Sequence, residues 1–103
     1  MWAQFIAGRL KADNEDDLPR LIERLRAVER PGSGHLRTTA MRDDNDTRRV
    51  FLLVMFESQE QALALENDPQ LQEGVQAMRD TMAEIFDGRP EYAGLTIVDE
   101  WAG

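Results

Sequence analysis

Residues 49–68 read RVFLLVMFESQEQALALEND, and the fold follows from how this stretch is placed. Phe51-Leu52-Leu53-Val54-Met55-Phe56 is an unbroken apolar run, short enough for one strand and apolar on both of its faces. Ser58 follows, with Gln61 three residues on, a capping box that opens a helix. Ala62, Leu63 and Leu65 give that helix its apolar side, and Asn67-Asp68-Pro69 breaks it. Asp68 suits the cap of a further helix and Pro69 its first turn.

Downstream, Leu71, Val75, Met78, Met82 and Ile85 recur at alternating spacings of four and three. That spacing predicts a long helix over Pro69–Phe86 with one buried stripe. Asp87-Gly88-Arg89-Pro90 stops it, and Tyr92–Trp101 (YAGLTIVDEW) reads as the last strand.

Upstream, His35–Arg42 (HLRTTAMR) has the threonines and mixed polarity of an edge strand. Asp43-Asp44-Asn45-Asp46-Thr47 joins it to the apolar strand as a hairpin tip. The acidic residues there lack the glycine and distal glutamate of a calcium loop. Leu18, Leu21, Ile22, Leu25 and Val28 predict an amphipathic helix, opened by Asn14–Asp17 and Pro19 and closed by Pro31-Gly32-Ser33-Gly34. Trp2–Lys11 (WAQFIAGRLK) is the first strand, with Ala3, Phe5 and Ala7 on one face and Trp2, Ile6 and Leu10 on the other.

The order is therefore β-α-β-β-α-β with the second helical region broken in two: an α+β, ferredoxin-like domain spanning 1–103, with a four-stranded antiparallel sheet. Helices cover one face of such a sheet. Either Phe51, Leu53 and Met55 or Leu52, Val54 and Phe56 are then left bare. A bare apolar face predicts a homodimer that packs sheet against sheet.

The 103 residues hold 42% hydrophobic residues, 12 basic and 20 acidic side chains, and a formal net charge of −8. A surface so acidic repels nucleic-acid backbones and anionic lipid. No apolar run approaches the ~20 residues of a membrane span. The absence of cysteine excludes disulfides, thiol nucleophiles and thiolate metal sites. With no signal-peptide pattern at Met1–Phe5, a cytoplasmic location is expected.

Three passages carry a resemblance: FLLVMFES (51–58), ESQEQALALENDPQLQE (57–73) and GRPEYAGLTIVDEW (88–101). On these the chain resembles the antibiotic-biosynthesis-monooxygenase-like group of the dimeric α+β barrel superfamily, over essentially its whole length. The resemblance implies a closed dimer of facing sheets and a pocket in each subunit between sheet and helices. It also implies chemistry such as cofactor-free oxygenation of aromatic molecules, quinol oxidation or haem degradation. Haem-degrading members use an Asn on the first strand, a Trp in the second half and a His on the long helix. WAQFIAGRLK has no Asn, the long helix no His and the region before it no Trp, which disfavours haem.

The chemistry-bearing candidates are few. His35, the only histidine, is the candidate catalytic base. Trp2, Tyr92 and Trp101 are candidate substrate-binding side chains, on the first and last strands. No cofactor site and no metal site is expected, because no His or Cys accompanies Asp43, Asp44 and Asp46. Two functions are compatible with these residues. One is a cofactor-independent monooxygenase acting on a small hydrophobic or aromatic molecule. The other is a non-catalytic, ligand-binding or structural homodimer.

Overall fold

In the computed structural model, which describes residues 1–103, the apolar run forms the strand Arg49–Phe56 (β3) inside a four-stranded sheet. Trp2–Arg9 (β1) and His35–Arg42 (β2) flank it, and Glu91–Thr96 (β4) pairs with the far side of β1. The order is β2-β3-β1-β4 and every pairing is antiparallel. Three α-helices, Leu18–Ala27 (α1), Gln59–Glu66 (α2) and Gln72–Ile85 (α3), complete the ferredoxin-like β-α-β-β-α-β plan. No helix is long and apolar enough to cross a membrane.

Leu18, Leu21 and Leu25 of α1 are buried, as are Val75, Met82 and Ile85 of α3. All of these but Val75 meet Ile6, Val50 and Leu52 of the sheet and Leu10 just beyond β1 in one core. Burying each such side chain stabilises the fold by ~1.5–3 kcal/mol. Pro19 lies in the first turn of α1, as its missing N–H allows. Asp17 stands at the N-cap without capping a backbone N–H. Its carboxylate instead accepts from Asn14 Nδ2 at 2.6 Å and faces Arg20 at 3.6 Å.

Half of the expected capping box is present at α2. Ser58 Oγ accepts from the Gln61 N–H at 3.2 Å, whereas the Gln61 amide turns to Ser58 Oγ and Glu57 instead of the Ser58 backbone. Asp68 caps the turn Pro69–Leu71 by accepting from the Gln70 N–H at 2.9 Å. A single 3-10 turn there precedes α3, so the long helix begins at Gln72 instead of Pro69.

The last strand is shorter than Tyr92–Trp101. It ends at Thr96, which pairs with Trp2. One more bond runs from the Ile97 N–H to the Met1 carbonyl at 3.1 Å. The tail beyond turns back across the sheet, and Glu100 reaches Arg37 on the opposite edge strand at 2.9 Å.

The pleat assigns the two apolar sets of β3. Val50, Leu52, Val54 and Phe56 face the helices, together with Ile6. Phe51, Leu53 and Met55 lie on the other face, in register with Ala7, Phe5 and Ala3. No helix covers that second face. Phe5 and Phe51 stack there with ring centroids 5.9 Å apart, and the Arg49 guanidinium sits 5.0 Å from the Phe51 centroid. Phe5, Phe51 and Leu53 are only half-buried.

Candidate functional site

The helix-facing row Thr38, Val54, Gln4 runs across three strands by direct cross-strand pairing. Val54 and Thr38 are short side chains in this row. The next position on β4 is Gly94, which leaves its place to the Trp2 ring. Helices resting on such a row cannot close onto it, and a cavity of about 470 Å³ remains between sheet and helices. That is within the usual size range of small-molecule sites.

Gln4, Thr38 and Val54 form its floor, with Ile6 and Phe56 beside them. Leu25 and Val28 of the α1 end, Ala62 and Leu65 of α2, and Val75, Met78 and Met82 of α3 wall it. His35 stands at the β2 end and Tyr92 at the β4 end. Glu29, Glu66 and Arg79 stand among the exposed lining groups, and Arg79 pairs with Glu66 at 2.8 Å.

His35 is placed by its loop. Gly34 takes φ 85°, a backbone conformation that a Cβ disfavours, and a side chain there would also collide with the Gln61 amide. The Gly34 carbonyl accepts from the Glu57 N–H at 2.9 Å, which ties the loop to the end of β3. A bulge in the pairing between His35 and Arg37 then aims the imidazole at the helix side. Its edge rests on Phe56, with centroids 5.5 Å apart, and Nε2 lies 2.8 Å from Thr38 Oγ1. The other ring nitrogen makes no hydrogen bond within the protein.

Of the remaining sequence candidates, Tyr92 lines the cavity and its hydroxyl donates to Met82 Sδ at 3.4 Å. Trp2 packs beside the cavity without lining it. Its ring lies against Phe56, 6.5 Å between centroids, and fills the space over Gly94. Trp101 is outside the sheet and 80% exposed, so the two tryptophans do not meet at the site. Nowhere do three His, Asp or Glu side chains converge as a metal site would need.

Sequence reasoning passed over Gln4, Thr38 and Arg79. Gln4 carries the available signal: it is the one polar side chain on the helix-facing register of an otherwise apolar strand. Its amide makes no hydrogen bond within the protein and is free to engage a ligand. Thr38 and Arg79 acquire their positions only through strand register and helix docking.

No protein-family model and no curated protein sequence matches the chain. Solved structures do. A Nitrosomonas europaea protein provisionally named an antibiotic biosynthesis monooxygenase superposes with a TM-score of 0.76 at 15% identity, over 96% of this chain and 100% of its own. Rv0793 from Mycobacterium tuberculosis gives a TM-score of 0.77 at 14% identity, covering 98% of both chains. The R26S mutant of MhuD, solved with two manganese protoporphyrin IX molecules per active site, gives 0.73 at 17% identity over 100% of both. Over essentially its whole length, then, the chain is similar in fold to the antibiotic-biosynthesis-monooxygenase-like proteins.

Proposed function

We propose that the chain binds a small hydrophobic, ring-bearing molecule in the cavity and oxygenates it without a resident cofactor. The observation that carries this reading is the apolar cavity of about 470 Å³ with an imidazole–hydroxyl pair at one end and an unengaged amide on its floor. Apolar walls with a few convergent polar groups are what a small-molecule site requires. The shared fold with proteins named as monooxygenases supports it further.

In this reading an acidic ring CH₂ or hydroxyl of the substrate replaces Thr38 as the partner of His35 Nε2. The imidazole takes the proton, and a carbanion or enolate remains. Gln4 donates an N–H to the enolate oxygen and holds the negative charge in place. The carbanion couples with O₂ to a peroxide anion, and the imidazolium returns its proton to give the hydroperoxide and a neutral His35. For a CH₂ substrate, loss of water then leaves C=O, so that CH₂ and O₂ become C=O and H₂O. The protein supplies deprotonation, orientation and exclusion of bulk water.

A second reading retains binding and drops the chemistry. It is favoured by the unpartnered second nitrogen of His35, since bases of this kind are commonly oriented by a carboxylate or carbonyl. Oxygen uptake separates the two. Quinols and hydroxy-aromatic molecules that bind should consume O₂ faster with the protein than without it. Binding with no protein-dependent uptake selects the second reading, and no binding by any of them overturns both.

The bare sheet face supports a homodimer in either case. Phe5, Phe51 and Leu53 are half-buried on it, with Met41 and Leu95 exposed at its margins. A second copy packed sheet to sheet covers a face of this composition. The absence of cysteine and the acidic surface suit a cytoplasmic protein.

A further inference from the structure

We infer that the molecule taken by the cavity carries an anionic group, and that Lys11 and Arg89 receive it. The inference rests on the proposal that the cavity holds a hydrophobic ring system. It starts from a second recess, of about 420 Å³, which shares Arg79, Met82 and Tyr92 with the main cavity. Lys11 and Arg89 line this recess with Arg79, and no carboxylate does. In a chain of net charge −8, two cations with no ion-pair partner, beside an Arg79 that already holds Glu66, are a local reversal of the surface field.

The backbone builds the recess. Lys11 follows β1 and Arg89 follows α3, and two hydrogen bonds, which together make one antiparallel bridge, hold these two chain segments together. Leu10 forms an isolated antiparallel bridge with Phe86. The Lys11 N–H donates to the Ile85 carbonyl at 2.8 Å, and the Asp87 N–H donates to the Arg9 carbonyl at 2.7 Å. Gly88 then turns the chain with φ 78°, bringing Arg89 beside Lys11 in the recess. Of the cations lining the recess only Arg79 has a carboxylate within ion-pair distance, Glu66, and Lys11 and Arg89 have none. These two charges are therefore free for an anion from outside.

Tyr92 and Met82 stand where cavity and recess meet, joined only by the 3.4 Å hydroxyl–sulfur bond. A weak bond of this kind yields readily to a ligand that passes between them. A flat ring system in the cavity then projects a carboxylate or sulfonate into the recess. Each ammonium or guanidinium contact made there is a charge-assisted hydrogen bond.

Two fluorescent probes of nearly the same shape test this: 1-anilinonaphthalene-8-sulfonate and its neutral counterpart N-phenyl-1-naphthylamine. The protein should bind the sulfonated probe about tenfold more tightly, as one to two charge-assisted contacts at a partly exposed site allow. The preference should shrink with added salt. The Lys11→Gln/Arg89→Gln double variant should bind both probes equally, with the neutral one unchanged. Ala62→Phe, which fills the cavity wall, should weaken both. A neutral probe bound as tightly as the sulfonated one overturns the inference and leaves the cavity reading intact. So does a sulfonate preference that survives in the double variant. Failure of both probes to bind, or binding indifferent to Ala62→Phe, overturns the inference together with the cavity reading beneath it.

Discussion

The imidazole Nε2 of His35 lies 2.8 Å from the hydroxyl of Thr38, two residues on one edge strand brought to the same side by a bulge. Without the bulge, His35 and Thr38, three apart, would point to opposite faces. The extra residue, Leu36, takes up the mismatch and is 45% exposed. The pair predicts distinct effects of two substitutions. His35→Ala should lower substrate-dependent oxygen uptake by ~10²-fold or more, the usual contribution of a positioned base. Thr38→Val should lower it less, since it removes only the group that holds the ring. Neither should reduce binding of a neutral apolar probe by more than a few-fold. Unchanged uptake in His35→Ala removes the imidazole from the mechanism.

A side chain at Gly8 would meet the Phe86 ring, because an added Cβ comes within 2.9 Å of it. Phe86 is 2% exposed and held in the Leu10 bridge, so the ring has little room to retreat. Gly8→Ala should destabilise the protein by ~1–3 kcal/mol, the usual effect of overpacking. Gly94→Ala is the comparison: the nearest atom is Trp2 Cζ2 at 2.8 Å, and Trp2 is only half-buried, so its ring can shift. Urea denaturation should rank Gly8→Ala below Gly94→Ala in midpoint. Equal midpoints would mean that the Phe86 ring is freer than its burial implies.

The fold was legible where one period dominates. The strand expected at His35–Arg42 is there with those bounds, and Val75, Met78, Met82 and Ile85 are the buried or partly buried face of α3, with Leu71 buried in the turn before it. The end of β4 was not legible, since Ile97 and Val98 continue the apolar alternation past the Thr96–Trp2 pair at which the ladder to β1 closes. Strand length there is a property of the pairing. The site was legible in part for a related reason. His35 and Tyr92 stand out by residue type, and both line the cavity. Trp2 stands out equally and serves as packing over Gly94. Gln4 and Thr38 belong to one site only because register places them in one row with Val54. No spacing along the chain encodes that row.

Arg9 Nε donates to Asp46 Oδ2 at 3.0 Å and the Arg48 N–H donates to Oδ1 at 3.2 Å. The hydrogen bond from Arg9 holds the Asp46 carboxyl below the usual aspartate range, against a smaller opposing effect of desolvation. A depressed native pKa contributes stability that is present above the unfolded pKa and is lost as pH falls through the native one. Arg9→Gln should therefore be less stable than the parent at neutral pH. The difference should narrow below about pH 4, the ordinary aspartate value. Added salt should shrink it as well, because both groups are exposed. Urea midpoints measured from neutral pH to the acid limit check this. A difference that stays constant with pH assigns the loss to Arg9 packing instead of charge.

Leu53 lies on the bare face of β3, paired with Phe5 on one side and Thr39 on the other. Its half-buried state in the single subunit makes it a sensitive probe of what covers the sheet. In a monomer, Leu53→Glu adds a carboxylate to a surface that water already reaches, and stability should change little. In a sheet-to-sheet dimer the same substitution buries two unpaired carboxylates against Phe5 and Phe51 of the facing copies, at several kcal/mol each. Sedimentation equilibrium at micromolar concentration should therefore give a dimer for the parent and a monomer with unchanged circular dichroism for Leu53→Glu. Thr96→Glu, an exposed position on the helix-facing side at the edge, should remain dimeric. A parent protein that sediments as a monomer would leave the Phe5–Phe51 stack as a solvent-facing feature of one subunit and remove the dimer from the proposal.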